Sequence, residues 1–194
     1  MMKDGIIKID TSEGLMQAFE EKKFDVFKVL PDTHPTLHQV LPEFDFSKPP
    51  VDPNWFASSL VETCRAYNGM GLSANQCGYN HRVFVMGSGE NFVAFYNPKI
   101  VKTEGETTME EGCLSFPLLT FKIQRAEQIW VEYQDFTGAK KEAHYIGLTA
   151  RCFQHELDHM NGIVYTSKVK PLAMQMALKK RAKIMKKYTR VNKK

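Results

Sequence analysis

The stretch FQHELDHMNG, Phe153 to Gly162, sets His155 and His159 four residues apart with Glu156 beside the first. On an α-helix, positions i and i+4 share one face about a turn apart, so both ring nitrogens can reach a single ion. Glu156 falls close to the same side without being needed as a ligand, which suits it to exchange a proton with metal-bound water. Phe153, Leu157 and Met160 form an apolar stripe beside the histidines, and Asn161–Gly162 ends the run. The spacing predicts a helix over 149–160 that is packed on one side and chelating on the other.

A catalytic site of this kind holds three protein ligands and leaves one position for water. After His159 there is no histidine and no cysteine, and Asp158 is the last acidic residue. A peptidase with a downstream carboxylate ligand is therefore excluded. So is the pattern H-E-x-x-H-x-x-G-x-x-H: Gly162 matches its glycine, but Tyr165 stands at its last position. The third donor must lie upstream, among Cys64, Cys77, Cys113, Cys152, the histidines at 34, 38, 81 and 144, or a carboxylate. Cys152 is about 10.5 Å from His159 along a helix axis, too far to share an ion with it easily, so it is expected to line the pocket or to pack. Cys113 sits in EEGCLSFP, where Gly112 frees the chain before it and Pro117 interrupts pairing after it. From such a loop a thiolate can approach the helix while the Leu114 N–H stays free for a substrate oxygen.

Outward from these two segments the pattern is mixed. Asp52 and Pro53 open a helix over 53–68 with Phe56, Leu60, Cys64 and Tyr67 at helical spacing, and Asn68–Gly69 reads as its stop. RVFVM and FVAFY flank GSGEN, and QIWVEYQD and KKEAHYIG flank FTGA, which predicts two strand pairs with the Cys113 loop between them. The sum is an α+β fold, with mixed or antiparallel sheets around a central metal-binding helix and a C-terminal helix.

Three separated segments carry a resemblance to the peptide deformylase family: GMGLSANQ at 69–76, EGCLS at 111–115 and QHELDH at 154–159, in that order. The likeness covers roughly 26–175 and includes LPD at 30–32, NP at 97–98 and the run Arg125–Ala126–Glu127. It implies that Cys113, His155 and His159 hold one divalent metal ion, that Glu156 is the general acid/base, and that Gln76 and the Leu114 N–H bind the developing oxyanion. It further implies hydrolysis of N-formylmethionyl peptides with release of formate, metal-bound water being the nucleophile. Gly69, Met70, Gly71, Leu148 and Cys152 are expected to shape the substrate pocket, with Arg151 as a charged rim. Ferrous iron is the implied ion, though a His2Cys set also accepts Zn(II), Ni(II) or Co(II). Ser73 replaces a common alanine and is expected to be neutral, and Thr120 stands where some relatives carry arginine.

With 194 residues, 43% hydrophobic and 25% charged, the chain suits one compact enzyme. The four cysteines have no paired spacing, and the N-terminus carries neither an export nor an import signal, so a reducing cytoplasm and no membrane are expected. The expected division is an extension over 1–25, a catalytic domain over 26–170 and a basic helix or tail over 171–194. EGLMQAFEEKK reads as a weak surface helix within the extension. From Lys168 to Lys194 there are eleven Lys or Arg and no acid, so this end carries +11 and the remainder −7. Leu172, Met176, Ile184 and Tyr188 suggest an amphipathic basic helix, and attachment to the ribosome near the peptide exit is its expected task. A different metal-dependent amidase, or a nucleic-acid-binding module without activity, are the competing classes. The intact Cys113, Glu156 and Gln76 argue against the second of these.

Overall fold

The computed structural model describes residues 24–191, with side chains to 187. The helix expected in EGLMQAFEEKK lies outside the described residues, as does the side chain of Tyr188. Helix α1, Pro53–Ala66, starts where Asp52 accepts the Trp55 N–H at 2.7 Å, and it buries Phe56, Leu60 and Cys64 one turn apart. It stops at Asn68, whose φ of +54° turns the chain so that the Gly69 N–H returns to the Cys64 carbonyl at 2.8 Å.

The main sheet is antiparallel, in the order β1 (Gly71–Ser73), β2 (Val83–Ser88), β3 (Asn91–Glu104), β6 (Gln128–Gln134) and β7 (Lys140–Ile146). Both expected strand pairs are present. β3 runs farther than its apolar core because Asn97, at φ +50°, lets the strand kink. Its side chain accepts the Phe44 N–H and donates to the Phe44 carbonyl, which ties the entering chain to the sheet. The segment between the two pairs is more than a loop. It forms a second sheet, β4 (Thr107–Glu111) with β5 (Phe121–Arg125), and Cys113 sits in the turn that joins them. Helix α2, Gly147–Met160, lies on the main sheet, where Phe153 meets Phe84 and Phe95 edge to face at 5.1 and 5.3 Å. Gly162, at φ +68°, follows it; a Cβ there would come within 2.7 Å of the His38 carbonyl oxygen. The architecture is α+β, as expected.

Helix α3, Pro171–Val191, corrects the expected amphipathic stripe. Leu172 and Met176 face solvent, 69% and 65% exposed. The half-buried positions are Met174, Ala177, Arg181 and Ile184, and Met174 and Ala177 pack against the core formed by Leu37, Phe116, Leu119, Ile123, Val164 and Tyr165. Arg181 donates to Asp32 at 2.6 Å. The Lys residues at 179, 180, 183 and 187 are left on the exposed side. No helix among the described residues is long and apolar enough to cross a membrane.

Candidate metal centre

Helix α2 presents His155 and His159 one turn apart, with ring centroids 5.1 Å from each other. The turn between β4 and β5 brings Cys113 to them, its sulfur 3.4 Å from His159 Nε2. One donor atom from each of the three lies within 4.8 Å of the others, and both histidines are buried. A soft thiolate and two imidazoles at this spacing fit a transition-metal ion. Spacing alone left the third donor open and the resemblance pointed to Cys113, which is the thiol that stands with the two histidines among the described residues. Cys64 and Cys77 stand apart as thiols that burial pushes up to about 12. His144 stacks on Trp130, and His81 packs edge-on against Phe44 and Phe56. Tyr165 is buried and donates to the Leu119 carbonyl at 2.8 Å, anchoring the Cys113 turn from below.

Glu111, to which the sequence reading gave no role, holds this group together. His155 Nδ1 lies 3.2 Å from Glu111 Oε2, which leaves Nε2 turned to the shared point. Arg125 reaches the same carboxylate with Nε at 2.6 Å and Nη2 at 2.9 Å, and Arg151 Nη1 also donates to it. Arg125 continues to Asp158 at 2.8 Å. Burial alone would raise the Glu111 carboxyl, but His155 and Arg125 overcome it and hold the group at about 2. The same burial disfavours the charged form of both imidazoles. In His155 it is outweighed by hydrogen bonds to Cys113 and Glu111, whereas His159 is driven well below its ordinary value by burial and by the positive charges around it. A neutral His159 is ready to donate a lone pair.

Arg151 corrects an expectation. It borders the cavity, yet its guanidinium is not a charged rim: it is buried, and it also donates to the carbonyls of Ile123 and Thr107 at 2.9 Å each. Glu111→Gln would leave two guanidinium groups without their shared counter-charge. The metal-free variant is expected to lose roughly 3–5 kcal/mol at neutral pH in urea unfolding. A lowered carboxyl stabilises the fold above its unfolded value, about 4.3, and loses that contribution as pH falls through its folded value. The gap between variant and wild type should thus close between about pH 4 and pH 2.

Beside the three donors, a cavity of about 320 Å³ is lined by Gly69, Met70, Gly71, Gln76, Leu114, Leu148, Cys152 and Glu156 among others. Met70 and Leu148 are about half exposed at its mouth. The Cys152 sulfur lies 3.5 Å from the Met70 carbonyl, and burial pushes its thiol well up. Gln76 belongs to the short 3-10 turn Ala74–Cys77. Its oxygen accepts the Ser73 N–H at 2.9 Å, so its NH2 faces the Cys113 turn, at 3.3 Å from the Cys113 sulfur and 3.2 Å from the Ser115 hydroxyl. Among the described residues, no acceptor takes the Leu114 N–H.

Glu156 is buried, and burial raises its carboxyl above the ordinary value against the pull of His155 and Ser73. A Cβ on Gly71 would stand 2.5 Å from its Oε1, so only glycine lets β1 pass this close. Ser73, expected to be neutral, donates to Glu156 Oε2 at 2.6 Å. Gly71→Ala is expected to cut turnover at least about tenfold by displacing that carboxylate, measured as kcat at saturating substrate.

A profile of the family described as polypeptide deformylase matches residues 26–175. The peptide deformylase of Thermotoga neapolitana is 43% identical over 123 residues, 63% of this chain and 74% of that protein. The peptide deformylase of Chromobacterium violaceum is 43% identical over 130 residues, 64% of this chain and 78% of its own. Among solved structures, a peptide deformylase from Legionella pneumophila superposes with a TM-score of 0.76 at 32% identity, over 85% of this chain and 98% of that one. A peptide deformylase from Synechococcus elongatus in complex with actinonin gives 0.75 at 28% identity, over 80% and 88%.

Proposed function

Since the chain belongs to the polypeptide deformylase family, we propose that it removes the formyl group from the N-terminal formylmethionine of newly made polypeptides in the cytoplasm, releasing formate. The observation that carries this reading is that Cys113 and His155, whose donor atoms converge with that of His159, line the same cavity as Gln76 and Glu156. Cys113, His155 and His159 would hold one divalent ion, Fe(II) in our reading, which would supply Lewis acidity there.

The remaining work falls to the chain. Gly69, Met70 and Gly71 let an extended peptide approach β1, while Leu148 and Cys152 give the methionine side chain an apolar wall. Glu156 takes the proton of the attacking water as the new C–O bond forms at the formyl carbon. The oxygen that gains charge is met by the Leu114 N–H and the Gln76 amide. Gln76 gives up its weaker bond, to sulfur, to make this contact. Glu156 then returns the proton to the amide nitrogen, the C–N bond breaks, and formate and a free amine leave.

The test is release of the free α-amine from a formyl-methionyl tripeptide and from its acetyl analogue, with protein loaded anaerobically with Fe(II) or Ni(II). Only the formyl peptide should be cleaved. Equal cleavage of both, or none of either, would reject the reading.

The basic end belongs to the same reading. We take 171–194 as a module directed at ribosomal RNA or protein near the peptide exit, because the Lys residues at 179, 180, 183 and 187 are exposed along one helix. Changing these four to glutamate should abolish cosedimentation with ribosomes at moderate salt. Removing four phosphate contacts alone should lower the slope of log affinity against log salt by roughly 3. Unchanged cosedimentation would exclude α3 as the anchor.

A further inference from the structure

The two oxygens of Glu156 have unlike surroundings. Oε1 lies against Gly71, where there is no side chain, and both residues line the cavity. Oε2 accepts the Ser73 hydroxyl at 2.6 Å, and Ser73 is fully buried and takes no part in the cavity wall. Alternation along β1 puts Gly71 and Ser73 on one face of the strand, toward α2. The pairing of Gly71 with Met86 and of Ser73 with Phe84 fixes that register. The Ser73 hydroxyl also lies 3.3 Å from the Glu156 carbonyl, but it has one proton, and the shorter bond, to Oε2, takes it.

Ser73 has a second tie. Its backbone N–H donates to the Gln76 side-chain oxygen at 2.9 Å, which turns the Gln76 NH2 toward the cavity. One buried residue thus touches both polar groups assigned to the reaction, the amide through its main chain and the carboxylate through its side chain.

We infer that Ser73 is a positioning residue: its hydroxyl occupies Oε2 and holds the Glu156 carboxylate in one orientation, so that Oε1 is the atom that faces the cavity and carries the proton. The inference rests on the proposed function for its kinetic consequence, but not for the contact itself. Alanine at this position deletes the hydroxyl link and keeps the main-chain link to Gln76, so one substitution separates the two.

Ser73→Ala is expected to lower kcat about tenfold, the scale of a lost donor to a charged acceptor, with KM of a formyl-methionyl peptide and the melting temperature nearly unchanged. In a Glu156→Asp background, whose shorter carboxylate cannot keep the contact, Ser73→Ala should have no further effect on kcat. Independently of activity, metal-free protein carrying carboxyl-¹³C glutamate should show one resonance that vanishes in Glu156→Gln and moves in Ser73→Ala. Wild-type kcat in Ser73→Ala with an unmoved resonance would overturn the inference. So would equal losses from Ser73→Ala in both backgrounds. Should the wild-type chain release no formate, the proposed function fails, and the resonance still decides whether Ser73 holds Glu156.

Discussion

Glutamine at position 156 is expected to leave the metal bound and to lower kcat by about 10²–10⁴, the range of a general acid–base group. Glu156 is not one of the three converging donors, so the ion keeps its ligands. The amide is close in shape and still offers an oxygen to Ser73, which preserves the packing. It cannot take a proton from water or return it to the leaving amine. Elemental analysis of the purified variant beside its formate release checks both halves. A variant with near-normal turnover would remove Glu156 from the mechanism, and one that had lost its metal would make it part of the cage.

Cys113→Ala should have the larger effect, abolishing both metal and activity. Two imidazoles on one helix remain, but a third donor and its charge are gone, and such sites need three. The other thiols cannot stand in, since Cys113 alone of the cysteines lies with the two histidines among the described residues. Dialysis against a chelator should bring the wild type to the same state, with activity regained on adding Fe(II) or Ni(II). Full activity in metal-free protein would contradict the proposed chemistry.

How much of this was legible before the fold was known depends on the signal each residue leaves. Helices α1 and α2 and the two strand pairs announce themselves through apolar periodicity, a capping Asp52 and turn residues at GSGEN and FTGA. Strand β4 does not. TTMEE has no alternating apolar face, and it pairs only because β5 lies beside it with Ile123 buried in the core. The candidate metal ligands were legible up to two histidines, since helical spacing is local, but Cys113 was one thiol among several until tertiary structure or resemblance brought it forward.

Glu111 and Arg151 were harder still. Each is a charged residue in a polar stretch of sequence, which ordinarily means surface, and only the fold shows them buried against one another. The apolar residues of α3 misled in the opposite direction. Leu172 and Met176 look like a buried stripe, yet the residues that touch the core are Met174 and Ala177. Ser73 read as harmless because the exchange of alanine for serine is small, and nothing in the chain shows that a carboxylate stands beside it.

The origin of the donors has one more consequence. The histidines ride on a helix seated on the five-stranded sheet, whereas the sulfur belongs to a separate two-stranded ribbon. An ion that joined them would add a brace to the ties that Glu111, Arg125 and Arg151 already make between these two pieces. Stripped of it, the ribbon should breathe, and a protease should cut between Gly112 and Thr120 sooner than anywhere in the main sheet.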